Sequence, residues 1–141
     1  MATFLIKTEP STYSFADLVR DGSCTWDGVS NNTALIHLRS MKPGDDVFIY
    51  HTGDERAIVG LARVVGDPVQ DPARPGTNAK GEPRFAVVTL QPVRAAPKPV
   101  ELETVKKDKQ FAAFPLVAQG RLSVMPVDAK SDAAIRVLAG L

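Results

Sequence analysis

A tryptophan beside a group of polar side chains is the feature of this sequence with the clearest chemical meaning. Trp26 is the only tryptophan, and Asp27, Asn31 and Asn32 follow it closely. A flat apolar ring beside amide and carboxylate groups can hold a nucleobase, because the ring stacks on the base while the polar groups pair with its edges. A single tryptophan in a small domain also commonly serves as a core anchor with its indole N–H satisfied. The residue types alone leave both roles open.

Side chains for metal binding or nucleophilic catalysis are sparse. The two histidines, His37 and His51, form no H-E-x-x-H pair, and the single cysteine, Cys24, excludes an internal disulfide and a cysteine-based zinc site. The sequence has no Walker loop, dinucleotide-binding fingerprint or G-x-S-x-G elbow. We therefore expect no catalytic residue, no metal and no cofactor. The alternative is an enzyme, such as a hydrolase of a modified nucleotide, that uses His51 and a carboxylate.

Size and charge limit the class of protein further. A chain of 141 residues with 44% hydrophobic and 23% charged residues predicts one globular domain spanning residues 1–141. The net charge of +1 argues against broad coating of duplex DNA, which needs many phosphate contacts, but allows a local basic patch. The apolar run Phe4–Ile6 is too short for a signal peptide, and no run is long enough to cross a bilayer. With a free thiol, this favours a cytoplasmic location and no membrane partner.

Short strands and short helices must position these residues. Apolar patterns predict strands over Thr3–Lys7, Asp46–His51, Ala57–Val65, Pro83–Val93 and Leu122–Val127. Capping and periodicity predict helices that begin at Ser14, near Thr33 and after Asp128, with Trp26 on the turn between the first two. Gly66–Glu82 is expected to be a surface loop, and Ala95–Pro99 an extended connector. The pattern predicts an α+β fold: a mixed β-barrel of about five strands with short flanking helices.

Several blocks of the sequence resemble the EVE domain family. In chain order they are Phe4–Pro10, Tyr13–Phe15, Trp26–Val29 with Asn31, Met41–Asp45, Phe48–His51, Ile58–Gly60 and Arg121–Val127. Each block is short, but their order across nearly the whole chain is specific. The resemblance implies a single PUA-like domain, related to the YTH and ASCH groups, that binds nucleic acid and holds a flipped, modified base in a pocket.

The resemblance also implies a set of ligand-binding residues. By position they are Lys7, Thr8, Trp26, Asn31, Tyr50, His51, Arg121 and Ser123. Trp26 would stack on the base or close an aromatic wall against a methyl group. Thr8 and Asn31 would read the polar edges of the base, and Lys7 and Arg121 would hold phosphate or sugar oxygens. Tyr50 and His51 would supply a second wall or a proton-sensitive donor, and Trp26 and Tyr50 are expected to border one concavity. Asn31 fits the role of a helix N-cap equally well.

The chain departs from the family pattern at the expected mouth of this pocket. Ser30-Asn31-Asn32 stands where many members have Arg-Asn-Tyr, and Leu35 stands where an arginine is common. Ala118 and Gly120 replace a more usual arginine and serine. The departures imply fewer phosphate contacts. The leading hypothesis is a binding module for a modified, for example methylated, base in DNA or RNA. A free modified nucleoside or another small planar ligand is also compatible, as is an interaction domain with a vestigial pocket.

Overall fold

The fold is built on one mixed sheet of seven strands. The computed structural model describes residues 1–141. Its strands are β1 (Thr3–Thr8), β2 (Cys24–Trp26), β3 (Asp46–His51), β4 (Ala57–Val64), β5 (Val69–Gln70), β6 (Ala86–Glu101) and β7 (Val124–Val127). The strand order is β2-β6-β4-β3-β1-β7, with β5 paired to β6 beside this path. Since β1 and β3 are parallel and the end strands do not pair with each other, the sheet is a curled half-barrel.

Five short helices and a 3-10 turn at Lys109–Phe111 flank the sheet. They are α1 (Phe15–Asp21), α2 (Asn32–Arg39), α3 (Leu102–Lys107), α4 (Pro115–Ala118) and α5 (Ala129–Ala139). The predicted start of α1 is confirmed, because Ser14 and Asp17 form a capping box. Gly22 ends this helix in the left-handed region at φ 77°. None of the helices is both long enough and apolar enough to pass through a bilayer.

One continuous core joins the sheet to the helices. Phe48 of β3 and Phe111 of the 3-10 turn are among its largest fully buried side chains. At the surface of this core, Arg136 of α5 donates hydrogen bonds to Asp46 of β3 and to Asp132, both at 2.8 Å. These charged contacts hold the C-terminal helix against the start of β3.

Two strand predictions near the site are wrong in detail. Trp26 lies on β2, where it pairs with Val88 of β6, and not on a turn. A strand of three residues is too short for an alternating pattern to reveal it. The segment Ala95–Pro99 belongs to β6 and is not a separate connector. Its prolines lie where the pairing of β4 with β6 shifts register, so their missing N–H groups interrupt no regular ladder.

Three helix predictions are also corrected. Phe111 and Phe114 predict a helical turn that Pro115 would end. Pro115 instead begins α4, because proline is well suited to the first position of a helix. Helical spacing predicts that Val19 shares a face with Phe15 and Leu18 and that Val137 faces the core, but these two valines are 55% and 82% exposed. Helical spacing predicts which residues share a face, but in short helices the edge of that face is set by the neighbouring elements.

A glycine inside a strand pattern predicts a bend or a close backbone approach, and Gly60 within β4 shows the close approach. A Cβ atom at this position would lie 2.5 Å from Cε1 of the buried Phe15 ring. We expect Gly60→Ala to lower the free energy of unfolding by about 1–3 kcal/mol, because the ring must move within a packed core. Chemical denaturation measures this effect. Gly66→Ala is the matched control, since a Cβ there meets no atom within 4 Å; equal stabilities of the two variants would contradict the packing of Phe15 on β4.

Candidate functional site

The largest of the concavities around the predicted residues has Trp26 in its wall. It encloses about 490 Å³ between the end of β1, the segment before α1 and the segment that links β2 to α2. This Trp26 cavity is lined by Lys7, Thr8, Glu9, Thr12, Tyr13, Cys24, Thr25, Trp26, Asp27, Gly28, Val29, Ser30 and Ser123. Its volume is within the range of small-molecule sites. Four predicted site residues, Lys7, Thr8, Trp26 and Ser123, therefore lie together.

Trp26 is both a core residue and a wall of the cavity. Its side chain is buried, with the residue 9% exposed, and its ring meets that of Tyr13 edge to face at a centroid distance of 5.8 Å. The indole N–H makes no hydrogen bond within the protein. Because every fully buried side-chain nitrogen and oxygen has a partner, this N–H must be open to solvent. The cavity is the space that Trp26 lines. The two roles left open by the sequence are combined in one side chain.

Lys7, Thr8 and Ser123 form a polar wall beside the ring. The Thr8 hydroxyl donates to the carbonyl of Tyr13 at 2.6 Å, which fixes the segment before α1 to the end of β1. The Lys7 ammonium donates to the carbonyl of Gly120 at 2.7 Å, and burial lowers the pKa of Lys7. The Ser123 hydroxyl has no partner within the protein, whereas its carbonyl accepts from the Lys7 N–H at 2.9 Å. Ser123 is thus free to bind a ligand.

Two carboxylates give the same cavity strong acceptors. Glu9 accepts from the N–H and hydroxyl of Ser11 and from the Thr52 hydroxyl. The Ser11 hydrogen bonds contribute most to the lowered pKa of Glu9. Asp27 is exposed and takes part in no ion pair or side-chain hydrogen bond. Carboxylates at a pocket wall accept hydrogen bonds from amino groups such as that of cytosine. The cavity is therefore better suited to a base edge than to a phosphate.

Tyr50 lies in a different space, so the prediction that Trp26 and Tyr50 border one concavity is wrong. This Tyr50 cavity encloses about 290 Å³ and is lined by Lys7, Tyr50, Thr52, Gly53, Arg56, Leu102, Lys106, Leu116, Val117 and Gly120. Lys7 lines both cavities, with its Nζ 5.7 Å from the centroid of the Tyr50 ring. Because the Lys7 side chain crosses to Gly120, it forms the partition between the two spaces.

The structure does not bring His51 to either cavity. Its Nε2 accepts a hydrogen bond from the backbone N–H of Phe15 at 3.0 Å, and its Nδ1 lies 2.9 Å from Oε1 of Glu55. A backbone N–H can only donate, so Nε2 is unprotonated and Nδ1 carries the hydrogen. The residue is only 7% exposed. The expected role of His51 as a second wall is corrected: it fixes the start of α1 and the turn after β3.

Asn31 and Arg121 meet in a third concavity beside the first two. Asn31 caps α2 by accepting from the Ala34 N–H at 3.0 Å, which confirms its alternative role. It shares a space of about 350 Å³ with Arg121. Arg121 is exposed and makes no ion pair. Leu35 is buried in the core, so its position is not at a mouth. The predicted residues other than His51 are thus divided among three cavities, each lined in part by the segment 116–123, instead of forming a single pocket.

Arg74 supports the Trp26 cavity and was not predicted. Its guanidinium donates to the carbonyl of Val29 at 3.1 Å and to the Ser30 hydroxyl at 2.9 Å. It also pairs with Asp71 at 2.9 Å and lies 4.2 Å from the centroid of the Phe85 ring. Arg74 therefore fixes the wall of the cavity to the long surface loop. Only the tertiary structure joins these distant residues, and no local pattern marks them.

Comparisons with known proteins agree on the family and the fold. The EVE domain model matches residues 2–138. Thymocyte nuclear protein 1 from Rattus norvegicus is 30% identical over 156 residues, which cover 88% of this chain and 67% of the rat protein. A protein structure from Pseudomonas syringae has a TM-score of 0.87 and 35% identity, covering 98% of this chain and 99% of the other. The structure of human THYN1 protein in complex with 5-methylcytosine containing DNA has a TM-score of 0.88 and 25% identity, covering 100% and 99%. The predicted PUA-like α+β fold is confirmed.

Proposed function

The chain belongs to the EVE domain family, and from that premise we propose that it is a DNA-binding module that holds a modified base in the Trp26 cavity. The observation that carries the proposal is the composition of this cavity, which is lined by the aromatic ring of Trp26, a free hydroxyl and two carboxylates. The human relative solved with DNA that contains 5-methylcytosine supports cytosine methylation as the modification.

The apolar part of the cavity accounts for preference toward a methylated base. Trp26 and Val29 contribute apolar surface to the cavity that the polar groups also line. Burial of one methyl group is worth about 0.8 kcal/mol, which corresponds to roughly fourfold in affinity. We therefore expect a modest preference for 5-methylcytosine over cytosine. A base stacked on the ring adds about 1–3 kcal/mol whether or not it is methylated.

The carboxylates account for preference toward a base with an amino group. Asp27 is the free acceptor, whereas three hydrogen bonds already occupy Glu9. Thymine has the same methyl group as 5-methylcytosine but presents a carbonyl where cytosine has an amino donor. A carbonyl against Asp27 leaves two acceptors facing each other. We expect the penalty to be about 1–3 kcal/mol, which is at least roughly fivefold in affinity.

Three single-stranded oligonucleotides that differ at one base test this proposal. With 5-methylcytosine, cytosine or thymine at the same position, fluorescence anisotropy at fixed salt should give the tightest binding for 5-methylcytosine and the weakest for thymine. Asp27→Asn should remove most of the discrimination against thymine. Asp54→Asn, at an exposed turn outside the cavity, should leave it intact. Equal affinity for all three oligonucleotides would contradict the proposal, and turnover of a modified nucleotide would favour the enzymatic alternative.

A further inference from the structure

The Tyr50 cavity carries an excess of positive charge that the base-binding role does not use. Lys7, Arg56 and Lys106 line it, and no carboxylate does. Arg56 and Lys106 are exposed and take part in no ion pair. Two carboxylates adjoin this lining: Glu9 lies against Gly53 and is held by Ser11 and Thr52, and Glu55, the residue before Arg56, is bound to His51. Three cations around a space of about 290 Å³ favour an anion.

The Tyr50 hydroxyl is an unused donor at the same place. The residue is only 3% exposed, and its hydroxyl makes no hydrogen bond within the protein. Because no fully buried side-chain oxygen lacks a partner, this hydroxyl must open onto the cavity that Tyr50 lines. Burial raises the pKa of Tyr50, although the charge of Arg56 opposes the shift. The hydroxyl therefore keeps its proton at neutral pH and can donate to an anion.

The turn that presents Arg56 is held in an uncommon conformation. Arg56 is the one non-glycine residue with a positive φ, at 44°. Its carbonyl accepts from the Leu102 N–H at 2.8 Å, and the preceding residue, Glu55, is bound to His51. Backbone strain of this kind persists where the surroundings impose it and is concentrated at functional sites. The contacts place the guanidinium on a fixed turn at the cavity.

We propose that the Tyr50 cavity binds a phosphate group, with Lys7, Arg56 and Lys106 balancing its charge and the Tyr50 hydroxyl donating to a phosphate oxygen. The source favoured by the structure is a backbone phosphate of bound DNA, because Lys7 separates this cavity from the one assigned to the base. The choice of DNA as the source of the phosphate rests on the proposed function, whereas the phosphate site itself is independent of that function.

Inorganic phosphate tests the site without any base. Titration followed by NMR should show saturable shifts at Tyr50 and Lys106 in the unaltered protein. Tyr50→Phe and Lys106→Gln should each weaken binding at least about fivefold, the order expected for a lost hydrogen bond to a charged group. Lys107→Gln is the matched control, because Lys107 is an exposed neighbour on α3 that does not line the cavity. Absence of saturable binding, or equal binding by all variants, would overturn the proposal.

The salt dependence of oligonucleotide binding identifies the source of the phosphate. For a backbone phosphate, Lys106→Gln should reduce the slope of log affinity against log salt by about 1, with no change for Lys107→Gln. If Lys106→Gln weakened the binding of inorganic phosphate but left this slope unchanged, DNA would be excluded as the source of the phosphate. That result would support a free phosphate or a phosphomonoester as the ligand. Saturable phosphate binding without preference for 5-methylcytosine would contradict the base-binding function alone, so the two proposals fail separately.

Discussion

Trp26→Ala is expected to lower the free energy of unfolding by about 3–5 kcal/mol, the usual cost of removing a large aromatic side chain from a core. The indole is buried against Tyr13 and belongs to the continuous apolar core, so its loss leaves a void. The same substitution removes the surface on which a base would stack. Chemical denaturation followed by circular dichroism measures the loss of stability, since this variant has no tryptophan to report by fluorescence.

Trp26→Phe separates the two roles of this side chain. A phenyl ring keeps most of the packing and still offers an aromatic face, so the variant should remain folded. Its affinity for the 5-methylcytosine oligonucleotide should fall between that of the unaltered protein and the loss of about 1–3 kcal/mol expected without a stacking ring. Unchanged affinity in this folded variant, together with a stable Trp26→Ala, would contradict both the core and the binding role.

His51→Ala is expected to lower the free energy of unfolding by about 2–4 kcal/mol, through a void and a buried donor left without its acceptor. The donor is the Phe15 N–H at the start of α1, and the substitution also releases Glu55. Chemical denaturation measures the effect.

His37→Ala is the control for this substitution. His37 is the other histidine, it is half-buried on α2, and its ring makes no hydrogen bond within the protein. Its replacement should change stability by less than about 1 kcal/mol. If His51→Ala were as stable as this control but had lost ligand binding, the structural role of His51 would be contradicted and a role in ligand binding supported.

Local chemistry made much of the fold predictable. The segment Asp46–His51, which is rich in β-branched and aromatic residues, predicts a strand with the same bounds that the structure shows. Asp128 and Gly140 mark the two ends of α5, because an aspartate accepts from the first N–H groups of a helix and a glycine readily adopts a left-handed φ. These signals lie within a few residues of the structure that they specify, so they can be read without knowledge of the tertiary contacts.

The arrangement of the site depends on contacts that no local signal specifies. Tyr50 and Lys7 are neighbours across a parallel strand pair, yet the Lys7 side chain divides the space between Tyr50 and Trp26. Asn31 and Arg121 adjoin these cavities but line a third. The residue types in the family motifs indicate a polar, aromatic region. The predicted site residues line different neighbouring cavities because their side chains point in different directions, and only the folded chain defines those directions.

The emission of Trp26 gives the most direct test of base binding, because this chain has no other tryptophan. With excitation selective for tryptophan, titration with an oligonucleotide that contains one 5-methylcytosine should change the emission saturably, with the same midpoint as anisotropy. An oligonucleotide of the same sequence with an abasic site at that position should leave the emission unchanged. Binding without any change in Trp26 emission, or the same change with the abasic oligonucleotide, would contradict a base held in the Trp26 cavity.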